Sequence, residues 1–288
     1  MIKGKAMLNA IFLLLLIACA SNPITKDALS PVIKQPHPFS YDLGVTLIPT
    51  KKADAPVMIC AHGYGYNNRV ASDVGTVPAV CEHLIGFNFP DYGCTKRPGF
   101  DIKKSTFGTI DEIIPLLYLI KQCVIDANLD AINLYGFSAG GGAIINALVI
   151  LKSSDYDEHL KKVGILPEHK TRMLDAVEKG LIILDCPLKS MDEIFAMRQT
   201  PMLEFLSERY AKNNMRPIDA ISRLKGLRLT ILLHFQNPDE MIGNRDDALY
   251  VERLKSANGG STQVIIANEG GHNTHHASLW NAYKNIKK

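Results

Sequence analysis

The sequence predicts an α/β fold: a mostly parallel central sheet flanked by helices, with a small helical insertion between late strands. Three observations carry this reading. Short apolar runs alternate with longer stretches of helical period, the pattern of βαβ units and a parallel sheet. Ile110, Ile113, Ile114, Leu117, Ile120, Val124 and Ala127 recur at three- and four-residue steps, as one buried helix face requires. The apolar run 131–135 leads through a glycine-flanked turn into a second apolar stretch, 143–151, so strand, sharp turn and helix follow directly on one another. With 288 residues, 47% hydrophobic and 21% charged, the chain suits one domain with a substantial core and is too apolar for disorder.

The expected strands are residues 57–61, 84–89, 131–135, 181–184, 228–235 and 263–267. Thr109, with Glu112 three residues on, fits a capping box for the helix that follows, and Pro115 inside the pattern is expected to bend or delay it. Residues 153–179 are charged and read as a solvated helical pair around Pro167. Residues 190–225 carry Met191, Ile194, Phe195, Met197, Met202, Leu203, Phe205 and Leu206. That stretch fits either a small lid lining a substrate pocket or an amphipathic helix covering one face of the sheet. No internal repeat or low-complexity segment is present.

The chemistry starts at the turn after residue 135. Gly136, Phe137, Ser138, Ala139 and Gly140 put a serine between glycines where a strand hands over to a helix. A tight backbone there lifts the hydroxyl above the sheet edge and leaves a backbone N–H beside it. The late strand 228–235 ends in Gln236, Asn237, Pro238 and Asp239, which sets a carboxylate on the loop beyond a buried strand. The next strand ends in Asn268, Glu269, Gly270, Gly271 and His272, so a histidine leaves the same sheet edge.

Ser138, Asp239 and His272 in that order, each after its own strand, resemble an α/β-hydrolase over roughly residues 50–288. The resemblance implies that His272 deprotonates Ser138 and that Asp239 orients the imidazole; Glu240 and Asp246 stand close enough to compete for the acid's role. Ala61, His62, Gly63, Tyr64 and Gly65 follow the first strand and resemble the family's His-Gly oxyanion loop. It implies the backbone N–H groups of Tyr64 and Ala139 as oxyanion donors and gives His62 a structural role. Tyr64, Tyr66, Phe89, Tyr92 and the Met- and Phe-bearing insertion are expected to make a mostly apolar pocket, which points to acyl esters of modest size. The same triad serves carboxylesterases, lipases, thioesterases, acyltransferases and serine peptidases, and a non-catalytic surface lipoprotein that keeps the fold to bind a partner is the alternative of a different class.

The N-terminus predicts export. Lys3 and Lys5 precede an almost wholly aliphatic run, 11–18, too short to span a bilayer, and Leu16, Ile17, Ala18 and Cys19 resemble a bacterial lipobox. The resemblance implies a signal peptide over 1–18 and lipidation of Cys19, with Ala20 leaning toward the outer membrane. Residues 19–41, with Pro23, Pro31, Pro36 and Pro38, read as an extended tether, leaving 42–288 as the catalytic domain and 190–225 as its possible lid. An uncleaved anchor, or an ordinary signal with a fortuitous cysteine, fits the same residues.

The formal charge of +3 falls to +1 once Lys3 and Lys5 are removed, and no basic cluster interleaved with aromatics points to nucleic acid. Five cysteines remain after Cys19, without the regular spacing of a disulfide framework. Cys60 and Cys186 read as small core residues, and Cys81 with Cys94 is the pair to test for a bridge. His272, His275 and His276 lack the helical spacing of a metallohydrolase, so neither metal nor cofactor is expected.

Overall fold

The computed structural model describes residues 24–25, 38–50, 54–64, 66–75, 82–90, 109–190, 216–268, 270–273 and 277–287. Its strands are β1 (Ile24–Thr25), β2 (Thr46–Ile48), β3 (Asp54–Ala55), β4 (Val57–Ala61), β5 (His83–Gly86), β6 (Asn133–Phe137), β7 (Leu181–Asp185), β8 (Thr230–Gln236) and β9 (Ser261–Ala267). Its α-helices are α1 (Val70–Gly75), α2 (Ile110–Lys121), α3 (Ala139–Lys152), α4 (Asp157–Lys161), α5 (Pro167–Glu178), α6 (Pro217–Ala220), α7 (Asp247–Ala257) and α8 (Ala277–Lys287).

Seven strands form one sheet in the order β2-β5-β4-β6-β7-β8-β9. Among the described strands of this sheet, only the edge pair β2 with β5 is antiparallel. Helices cover both faces, which is why β4 reads as an unbroken apolar run and not as an alternation. Successive side chains go to opposite layers: Val57, Ile59 and Ala61 pack with α2, α3 and α5, whereas Met58 and Cys60 pack with Val70, Val74, Leu279 and Trp280 of α1 and α8. The chain leaves β4 toward β5 on one side and returns to β6 on the other. That reversal is a topological switch point at the carboxyl ends of β4 and β6, the usual ligand position in such sheets.

Each expected strand exists, 57–61 with its ends unchanged and the others with ends moved by up to three residues. β2 was not anticipated, because three half-buried residues at a sheet edge give almost no periodic signal. Within the expected tether, Ile24–Thr25 pairs with Asp54–Ala55, and Phe39 sets its ring edge-on against Tyr118 at 5.5 Å between centroids. Packing therefore begins before residue 42.

Thr109 is the N-cap of α2 but makes no side-chain capping bond; Glu112, the expected capping-box partner, is buried in the helix's packed face. The helix runs through Pro115 and ends in a π-helical turn, Gln122–Asp126, which keeps Cys123 and Val124 in the core. The stretch expected as a solvated pair is amphipathic: Pro167 begins α5, and Met173, Ala176 and Val177 are buried against the sheet. Of the insertion at 190–225, residues 191–215 lie outside the described residues, while Ile218, Ile221 and Leu224 join the main core. Cys81 and Cys94 also lie outside, and Cys60, Cys123 and Cys186 are buried thiols that form no disulfide among the described residues.

Polar side chains inside the sheet gather at its two ends. At the amino ends of the parallel strands, Glu82 accepts hydrogen bonds from Asn133 and from Tyr283 of α8, and the Asn133 side-chain Oδ1 accepts the Leu181 N–H. At the carboxyl ends lie the residues of the candidate site.

Candidate active site

Ser138 sits between β6 and α3 with φ 52° and ψ −116°, a conformation that costs an ordinary residue about 1–3 kcal/mol. The surrounding backbone holds it there. Its N–H donates to the Asp185 carbonyl at 2.8 Å, and its own carbonyl accepts the N–H groups of Leu188 at 2.8 Å and Gly141 at 3.0 Å. The flanking glycines are needed for close approach: a Cβ on Gly140 would lie 2.2 Å from the Ala61 carbonyl oxygen, and one on Gly136 would lie 2.7 Å from the Gly141 backbone. Ser138 is also the N-cap of a fourteen-residue helix, whose first turn favours negative charge.

Beside it, His62 and Gly63 leave the end of β4. The Phe89 N–H donates to His62 Nε2 at 3.0 Å, so the proton rests on Nδ1, which donates to the Gly63 carbonyl at 2.8 Å. Burial lowers the His62 pKa to about 4 against the opposing pull of the Gly63 carbonyl, and the ring is neutral at pH 7. His62 thus braces the loop, with Phe89 and Phe87 packed around its ring. Phe89, expected in the pocket, is buried in this bracing. Tyr66 donates its hydroxyl to Asp73, while Tyr64 is 64% exposed. Tyr92 lies outside the described residues.

Asp239 and His272 lie on the loops after β8 and β9. His272 Nδ1 donates to Asp239 Oδ2 at 2.7 Å, and both side chains are buried. The other carboxylate oxygen, Oδ1, accepts the N–H groups of Met241 at 2.9 Å and Ile242 at 3.0 Å. Burial pushes the Asp239 carboxyl up, but the bond and charge of His272 and these two N–H groups outweigh it and hold the group below its ordinary 3.8. The rivals do other things. Glu240 Oε1 accepts the His272 backbone N–H at 2.9 Å, and Asp246 bonds Arg245 and stands at the N-cap of α7. The Phe137 ring lies 5.1 Å from that of His272, which brings the residue before Ser138 against the imidazole. Gln236 ties the two loops together by donating to the Gly270 carbonyl at 3.1 Å.

A second buried pair lies deeper. His234 Nδ1 and Asp185 Oδ1 are 2.8 Å apart, and Tyr135 donates its hydroxyl to Asp185 Oδ2 at 2.8 Å. Nothing in the sequence marked these residues, because each is one polar side chain in an apolar run and strand register supplies the partner. Cys186 stands between the pairs, so Asp185, Cys186 and His234, or Cys186, Asp239 and His272, bring possible metal-ligand atoms within 4.8 Å of one another. In each set the carboxylate and imidazole already bond each other. Burial first, then the charges of Asp185 and Asp239, drive the Cys186 pKa far up, so it offers a thiol, a poor metal ligand, at neutral pH. His275 and His276 lie outside the described residues, as does Cys19.

No family model matches the sequence, and a comparison with curated proteins finds no match. Solved structures do resemble it. Est1E from Butyrivibrio proteoclasticus, in a structure with ferulic acid bound, is 13% identical with a TM-score of 0.56 over 86% of this chain and 93% of its own. An esterase from Pyrococcus furiosus is 14% identical, with a TM-score of 0.53 over 86% and 90%. An esterase from Exiguobacterium antarcticum is 12% identical, with a TM-score of 0.52 over 93% and 99%. At these identities the likeness speaks for architecture, and it agrees with the sheet order and the strained turn at Ser138: the chain has the α/β-hydrolase fold.

Proposed function

We propose that this protein is an exported, lipid-anchored serine hydrolase that cleaves carboxylic esters through an acyl-serine intermediate. The observation that carries the reading is the strained turn at Ser138 together with a buried Asp239–His272 bond at the same sheet edge, where the Phe137 ring lies against His272. With Nδ1 committed to Asp239, His272 offers Nε2 as the base. It takes the Ser138 hydroxyl proton as Oγ bonds to the ester carbonyl carbon, and the carbonyl π pair moves onto oxygen. The backbone N–H groups of Ala139 and Tyr64 donate to that oxyanion, each contributing about 2.7–4 kcal/mol to the transition state. Collapse breaks the bond to the alkoxy oxygen, which leaves as alcohol with the proton from His272. Water then repeats the sequence on the acyl-serine, releasing the acid and regenerating Ser138.

Ala139, Leu188 and Ile242 form a small apolar cluster beside the nucleophile, which supports an acyl group of modest size. That solved esterases share the architecture supports ester chemistry over the other uses of the triad. Among the described residues no helix is long and apolar enough to cross a membrane. Lys3, Lys5, the apolar run and Cys19 support a lipid anchor, in which each buried CH₂ contributes about 0.8 kcal/mol. Hydrolysis of p-nitrophenyl esters of increasing chain length tests the reaction. Wild type is expected to turn over short esters fastest and Ser138→Ala none; equal rates for the two would overturn the proposal. Radiolabelled palmitate incorporation, lost in Cys19→Ser, tests the anchor.

A further inference from the structure

We propose that Asn244, oriented by the ion pair of buried Lys189 with half-buried Asp247, is a positioning residue that locks the turn carrying Asp239 onto the segment that holds Ser138. The inference rests on the reading of Asp239 and His272 as the acid–base pair, and adds residues that the triad pattern does not contain.

Lys189 is 0% exposed. A lysine ammonium is rarely buried without partners, because desolvation is costly. Here it donates to the Gly243 carbonyl at 2.7 Å and to Asp247, and it lies 5.7 Å from the centroid of the Phe235 ring. One oxygen partner, Gly243, lies in the turn that follows Asp239, and the other, Asp247, is the first residue of α7 just beyond it. The backbone of the same segment serves the nucleophile, since the neighbouring Leu188 N–H donates to the Ser138 carbonyl at 2.8 Å. Residues 188–189 therefore grip the two halves of the site at once.

From Asp247 the arrangement continues to the acid. Asn244 Nδ2 donates to Asp247 Oδ2 at 2.7 Å and to the Gln236 carbonyl at 2.6 Å, while Asn244 Oδ1 accepts the Asp239 backbone N–H at 2.7 Å. Two acceptors face the NH₂ and one donor faces the oxygen, so one amide orientation satisfies all three and a flip breaks all three. Lys189 fixes Asp247, Asp247 fixes the amide, and the amide fixes the backbone of Asp239. A hydrophobic pair could fill the same space without loss of stability. It could not aim an amide, and aim is what a 2.7 Å bond between Asp239 and His272 demands.

The test uses Asn244→Ala and the double variant Lys189→Met/Asp247→Leu in the full chain. Each is read by steady-state kinetics on p-nitrophenyl acetate and by the low-field proton NMR signal of His272 Nδ1–H, assigned by its loss in His272→Ala. Both variants are expected to lower kcat about 10- to 100-fold with KM within about twofold, as a misplaced catalytic group does, and to broaden or shift the Nδ1 proton. Asn244→Ser, which keeps an acceptor toward Asp239, is expected to recover part of the signal. If Asn244→Ala does not fold, the double variant, with its apolar replacement, carries the test. A folded variant with wild-type kcat and an unmoved Nδ1 proton would overturn the inference. If wild type cleaves no ester yet the proton responds, the ester reading fails and the positioning role stands.

Discussion

Two buried aspartate–histidine pairs lie within one sheet edge of each other, with nearly the same bond length: 2.8 Å for Asp185 with His234 and 2.7 Å for Asp239 with His272. The first belongs to β7 and β8, where Asp185 and His234 are register partners, and Tyr135 closes it from β6. The second stands one step farther out, on loops past the strand ends, against Phe137 and beside the turn that presents Ser138. Chemically alike, they differ in what they can reach. A pair inside the ladder is confined by neighbouring strands and can only brace the sheet. A pair on the loops is held by N–H groups from its own turn, and in the proposed mechanism it exchanges a proton with the substrate.

The comparison breaks most sharply by substitution. Ser138→Ala, Asp239→Asn and His272→Ala are each expected to reduce kcat/KM by about 10⁴-fold with little change in melting temperature. Asp185→Asn and His234→Ala should do the reverse: a loss of about 2–5 kcal/mol in urea unfolding, and turnover per folded molecule within about threefold of wild type. A structural phenotype at His272, or a catalytic one at His234, would erase the distinction.

A third histidine sharpens it through pH. His62 is neutral in the fold with its pKa lowered to about 4 from 6.5, so between those values the unfolded chain binds a proton that the folded chain does not. Stability should therefore fall as pH drops from 6.5 toward 4, by about 3 kcal/mol in all, and His62→Gln should flatten that slope in urea titrations. The smallest expected effect is at Glu240, which holds His272 by its backbone only. Glu240→Ala should lower kcat about threefold, the worth of one half-buried hydrogen bond, and leave KM unchanged.

The same contrast separates what could be read from sequence. The strand-end positions of Ser138, Asp239 and His272 were legible because each follows an apolar run, and the end of a buried strand is itself visible in hydrophobic patterning. His62 was legible through its neighbours Gly63 and Ala61. Asp185 with His234, Glu82 with Tyr283, and Lys189 with Asp247 were not, since strand register and helix docking pair residues that lie about 50 to 200 positions apart. Local rules misled where tertiary packing overrode them: Glu112 has the spacing of a capping residue, yet the helix buries it. Three residues of β2 gave too short a run to register, and the pairing of Ile24–Thr25 with Asp54–Ala55 lay in a stretch whose prolines suggested a free tether.

The central claim is that Ser138 is a nucleophile activated by His272. Its most direct test is covalent labelling of the folded protein with a fluorophosphonate, followed by mass spectrometry of the modified peptide. One adduct on Ser138 is expected, its rate falling at least about a thousandfold in His272→Ala and staying near wild type in His234→Ala. Labelling elsewhere, or labelling of Ser138 that ignores the loss of His272, would contradict it.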